Sequence, residues 1–99
     1  MDPAIPDIKI SDVVVSTQGR DQGKLFYVIG TDPVFLLLAN GKDRTLEKPK
    51  RKKRKHIQKV LRSETRVAQK LLTGDKVLNG ELRRDLAFLA KDASDNLGG

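Results

Sequence analysis

Apolar positions along the chain follow two different spacings. From Val13 to Leu46 they come in short bursts: Val13-Val14-Val15, Leu25 to Ile29, Val34 to Ala39, and a shorter one through Arg44-Thr45-Leu46. Short runs rich in β-branched and aromatic residues, bounded by turn-formers, predict strands with at least one buried face. Gly30-Thr31-Asp32-Pro33 reads as a compact turn, Asn40-Gly41 suits a hairpin because both residues readily take positive φ, and Pro49 ends regular pairing. Strands this short and this closely spaced predict a small, strongly curved sheet or barrel.

Beyond residue 59 the spacing becomes helical. Val60, Val67 and Leu71 recur at i, i+7 and i+11, with Leu61, Ala68 and Leu72 one position on and Thr73-Gly74 as a stop. Leu82, Leu86 and Leu89 predict a second helix over about 80–92 with Asn79 as its N-cap. The chain thus divides into an N-terminal tail (1–9), a β unit (10–48), a basic segment (49–59), a helical region (60–92) and a frayed tail (93–99), mainly β plus α in class. At 99 residues there is little room for a second independent core.

Charge changes the picture most. The net charge is +7, and residues 42–56 hold nine Lys and Arg against Asp43 and Glu47, so the whole excess lies there; elsewhere 11 basic residues balance 11 acidic ones. Lys50 to Lys55 are six consecutive cations. Burying them unpaired would cost more than so small a domain could offset, so the segment is expected to be an exposed polycation. A solvated linker explains mixed-sign runs; an unbroken run of one sign calls for a dense polyanion, and nucleic acid is the first candidate. A nuclear localisation signal and an acidic membrane surface are competing readings.

The absence of cysteine excludes disulfides and thiolate chemistry. The longest apolar run, Val34 to Ala39, falls far short of a membrane span, and Met1-Asp2-Pro3-Ala4 does not open a secretory signal, so a cytoplasmic protein without membrane contact is expected. His56, the lone histidine, stands among lysines without a carboxylate neighbour, Asp85 and Asp92 fit a solvated helical face, and no spacing suggests a metal site. Neither an enzyme nor a cofactor is expected.

The segment Val13, Val15, Gly19-Arg20-Asp21, Gly23-Lys24 and Val28 resembles the KOW motif, a strand-loop-strand element of ribosomal proteins and transcription elongation factors. Its continuation, LLLANGKDRTLEKPKRKKRKHI, is similar to small bacterial KOW-domain RNA-binding proteins related to archaeal and eukaryotic large-subunit ribosomal proteins. The resemblance covers about residues 10–57; Gln22 departs from a position often basic, and Leu25-Phe26 from one where many members have a second glycine. It implies an SH3-like β-barrel docking on structured RNA, ribosomal in kind, with Gly19, Asp21, Gly23, Asn40 and Gly41 shaping the loops. Arg20 and Lys24 would face phosphates, and Lys50, Arg51, Lys52, Lys53, Arg54, Lys55 and His56 would make an extended contact, joined by Lys42, Arg44 and Lys48 on charge grounds. With Phe26, Tyr27 and Phe35 mostly claimed by the core, recognition of RNA shape is expected, leaving Gln18, Gln22 and Asn40 for modest base or ribose contacts. The rival expectation is a protein-interaction module that uses the C-terminal helices, with Leu82 and Leu86 at its contact.

Overall fold

The computed structural model describes residues 7–97, with side chains through residue 92. Five strands form one antiparallel sheet: β1 (Asp12–Ser16), β2 (Leu25–Thr31), β3 (Phe35–Ala39), β4 (Lys50–Lys53) and β5 (Ile57–Arg62). Their order is β4-β3-β2-β1-β5, so the first four make a meander and β5 crosses to the opposite edge.

A single 3₁₀ turn, Arg54–His56, makes that crossing. It prolongs pairing at both ends, Arg54 N–H donating to Val34 O and Thr17 N–H to His56 O, each at 2.9 Å. Four Cα steps from Lys53 to Ile57 span at most about 15 Å, whereas the outer strands of a flat five-strand sheet lie about 19 Å apart. The sheet is therefore curled, its outer strands nearer to each other than in a flat sheet, and no β4–β5 ladder closes it.

The curl divides the apolar residues between two cores. Ile8, Val14, Phe26, Val28, Leu36, Leu38 and Ile57 fill the concave face. Val13, Tyr27 and Ala39, one position out of phase, meet Val67, Ala68, Leu82, Leu86 and Leu89 on the other. Unbroken runs such as Val13-Val14-Val15 thus serve strands covered on both faces. The covering elements are α1 (Arg66–Thr73) and α2 (Asn79–Leu97). Thr65 caps α1 by accepting from Ala68 N–H, and Gly74 ends it at φ 78°.

Several boundaries differ from the sequence reading. Residues 50–53, expected as an extended polycation, pair with β3, because Lys52 and Lys50 lie opposite Leu36 and Leu38 and their hydrocarbon stems can cover that apolar row. Arg44-Thr45-Leu46 is loop rather than strand: Arg44 O accepts from the Asn40 and Gly41 amides, and Leu46 N–H donates to Asn79 Oδ1. That use of the Asn79 side chain replaces the expected N-cap. Val60 and Leu61 belong to β5, since the free edge of β1 offers a ladder there. Ile8 is buried, so the presumed tail enters the core by residue 8. The backbone of α2 runs on to Leu97 where a frayed tail was expected; residues 1–6 and 98–99 lie outside the described residues.

Candidate nucleic-acid interface

Strand alternation sorts the six cations. Lys52 points into the concave face, donating through Nζ to Asp21 Oδ1 at 2.5 Å and to Gln18 O. Lys50, two positions earlier on the same face, is half-buried with Nζ 3.9 Å from Asp21 Oδ2. Arg54 turns back to the fold, its guanidinium donating to Asp32 O at 2.8 Å and to Ile8 O. Arg51, Lys53 and Lys55 are exposed. Within β4 alternation thus commits Lys50 and Lys52 inward and leaves Arg51 and Lys53 to solvent, while in the turn that follows Arg54 bonds back to the fold and Lys55 is exposed.

Asp21 organises the 17–24 loop. Ser16 Oγ donates to its Oδ1 at 2.8 Å, and the loop is drawn shut by Gly23 N–H on Ser16 O at 2.8 Å. Burial works to raise the Asp21 carboxyl, but the hydrogen bonds from Lys52 and Ser16 and the charges of Lys52 and Lys50 outweigh it and hold it below the ordinary value. Gly19 and Gly23 have φ of 91° and 88°, conformations that side chains resist. At Gly23 nothing lies within 4 Å of where a Cβ would stand, so the backbone conformation and not a close approach calls for glycine there.

The 40–49 loop lies beside it. Asn40 Oδ1 accepts from the Lys42 and Arg44 amides at 2.9 and 3.0 Å, so its oxygen serves the loop. Lys24 Nζ bridges to Asp43 Oδ2 at 2.7 Å, and that hydrogen bond and charge depress the Asp43 carboxyl. Between the loops opens a cleft of about 360 Å³ lined by Arg20, Lys24, Arg44 and Lys50 with Asp21, Phe26 and Asp43. Lys42 and Lys48 are exposed elsewhere on the 40–49 loop, and His56 is half-buried with its carbonyl on Thr17.

On the outer face of β3 and β4, Arg51 stacks on the Phe35 ring with its guanidinium carbon 3.8 Å from the centroid. Stacking occupies one face of the guanidinium and leaves its N–H edge free to donate.

Two polar groups escaped the sequence reading. Asp85, taken for a solvated residue, accepts from Tyr27 Oη and from Thr65 Oγ1 at 2.8 Å, and Ser63 Oγ lies 2.8 Å from the same phenol. This knot pins α2 to the sheet; its only signal in sequence is a tyrosine inside a run bound for the core. Burial, the Asp85 hydrogen bond and the Asp85 charge push the Tyr27 phenol up to about 12. Asp12, buried at the start of β1, holds Lys59 at 3.2 Å.

Among the described residues no cluster of His, Asp or Glu could hold a metal ion, and no helix is long and apolar enough to cross a membrane. No protein-family model matches the chain, and no curated protein matches it.

Proposed function

We propose that this protein binds structured RNA, ribosomal RNA being the reading suggested by the KOW resemblance, through a basic surface built from Arg51, Lys53 and Lys55 and the cleft between the 17–24 and 40–49 loops. The observation that carries the reading is the sorting within the basic run: three cations whose side chains form no hydrogen bond or ion pair among the described residues, Arg51 being stacked on Phe35, project from an edge strand and its turn. Charged residues also guard sheet edges against pairing, which is the competing account of Arg51 and Lys53 on β4. The cleft adds Arg20 and Arg44, neither of which forms an ion pair among the described residues.

The strand order, the curl and the short 3₁₀ link between opposite edges are features an SH3-like barrel requires, and they support that finer description of the fold. Few exposed aromatic rings are offered to unpaired bases, so backbone and shape dominate recognition.

The test is the salt dependence of binding to structured RNA. Each phosphate contact adds roughly 0.7 to 0.9 to the slope of log K against log salt. Arg51→Gln, Lys53→Gln and Lys55→Gln together should flatten the slope by about 2. An unchanged slope, or affinity that ignores salt, would overturn the proposal and turn attention to the helices. There the exposed Phe88, rather than the buried Leu82 and Leu86, is the side chain a protein partner would meet.

A further inference from the structure

Among the described residues one buried side-chain oxygen, on a residue that lines the cleft, has no hydrogen-bond partner. Asp21 Oδ1 is saturated by Lys52 and Ser16, but Asp21 Oδ2 is buried and has no hydrogen-bond partner. Lys50 Nζ stands 3.9 Å from it, beyond hydrogen-bond reach. Asp21 lines the cleft together with Arg20, Lys24, Arg44 and Lys50. An ionised carboxylate oxygen can only accept, and leaving such an oxygen without a donor is costly. The cleft thus combines a demand for one hydrogen-bond donor with a surrounding field that favours an anion.

We propose that the cleft is a ribonucleotide site, in which Asp21 Oδ2 accepts the ribose 2′-hydroxyl while Arg20, Arg44 and Lys50 hold the adjacent phosphate. The inference rests on the RNA-binding reading and adds to it a means of telling RNA from DNA. A carboxylate on a ribose hydroxyl is a recurrent solution in nucleotide recognition, and the 2′-hydroxyl is the group that separates the two nucleic acids. Geometry favours it over a base edge for two reasons. Guanine presents two parallel donors, suited to a carboxylate with both oxygens free, and Asp21 has only one. The exocyclic amines of adenine and cytosine are single donors but lie across the base from the phosphate, whereas the 2′-hydroxyl neighbours the 3′-phosphate on the same sugar.

The carboxylate is held in place before any ligand arrives, and because Oδ2 is buried the side chains lining the cleft must shift to admit a hydroxyl. Lys52 and Ser16 fix the carboxylate from below, and Asn40 Oδ1 fixes the Arg44 backbone by accepting its amide at 3.0 Å. The Lys24–Asp43 pair at the rim is about half exposed on both sides, so breaking it to admit a phosphate costs little.

The test is a titration of the isotope-labelled full chain, followed by NMR, with ribonucleoside 3′-monophosphates and their 2′-deoxy counterparts. The ribonucleotides should bind about tenfold more tightly, the worth of one hydrogen bond to a charged group, and move the amides of residues 20–24, 43–44 and 50. Arg20→Gln should weaken both series alike, and Asp21→Asn should erase the difference between them. Should Asp21→Asn fail to fold, the two ligand series on the native chain still decide: equal affinity, or shifts confined to other parts of the surface, overturns the proposal. RNA binding with a steep salt slope but no ribose preference would defeat this inference and leave the RNA-binding reading standing. A ribose preference among mononucleotides without salt-dependent RNA binding would support the cleft and defeat that reading.

Discussion

Lys52, inside a run of six cations, donates to Asp21 Oδ1 at 2.5 Å across 31 positions of chain, beneath the loop that Asp21 shapes. The ammonium and the carboxylate are both largely withdrawn from water, at 9% and 13% exposure. Removing one partner of a buried pair strands the other, at a cost of about 3 kcal/mol. Lys52→Gln should therefore lower stability in urea unfolding by about that amount, while Lys53→Gln, one position on and exposed, stays within about 0.5 kcal/mol. Equal effects would mean that the inward and outward sorting of the run is wrong.

Acid should act through the same pair. The folded-state value of the Asp21 carboxyl lies below its ordinary value of 3.8, so the stabilisation is present above that value and is lost as pH falls through the lower folded one. Stability measured from pH 5 downward should fall more steeply for the native chain than for Asp21→Asn. Parallel curves would remove Asp21 from the account of acid sensitivity.

Alkali should act through Tyr27. Its phenol is raised from 10.0 to about 12, so the folded state holds the proton more tightly than the unfolded chain does. That contribution is complete below pH 10 and disappears as pH rises toward about 12. Tyr27→Phe should abolish the alkaline loss between those limits, read by helical circular dichroism, at the cost of about 1 kcal/mol at neutral pH for the lost hydrogen bonds.

Two glycines with positive φ should respond differently to alanine. A Cβ at Gly41 would stand 2.2 Å from the Asn79 carbonyl oxygen, whereas at Gly23 it would meet nothing within 4 Å. Gly23→Ala should cost about 1 to 2 kcal/mol, the left-handed penalty alone. Gly41→Ala should cost clearly more, because the 40–49 loop must also part from the start of α2. Thermal melts of the two variants check the ranking.

On α2, Leu82 is fully buried and Phe88 is 62% exposed. Leu82→Asp should unfold the helical layer, since it buries an unpaired charge. Phe88→Asp should leave the melting temperature within a few degrees of the native chain. Its effect on any association with a protein partner would then report binding alone, which the Leu82 variant cannot do.

What could be read along the chain is what depends on near neighbours. The strands around Val13, Phe26 and Leu36, the stop at Gly74, and the leucines facing the core from α2 all follow from local periodicity and turn chemistry. The burial of Lys52 within the basic run is not legible in sequence: alternation exists in any sequence of lysines, but it carries no signal until one face finds an anion. Asp85 was misread for the converse reason, as a polar residue on a helix reads as solvated until a tyrosine 58 positions away turns out to face it.

Sequence alone determined where backbone hydrogen bonding is regular, where it turns, and that the excess charge lies in one stretch, because propensity, glycine chemistry and charge are local properties. Only the tertiary structure decided that this stretch is a strand, that Lys52 and Arg54 serve the fold while Arg51, Lys53 and Lys55 face outward, and that Asp21, in a cleft lined by four cations, keeps one oxygen without a hydrogen bond. Each of those outcomes depends on burial and on contacts between segments remote in sequence. The curl of the sheet is what brings those segments together.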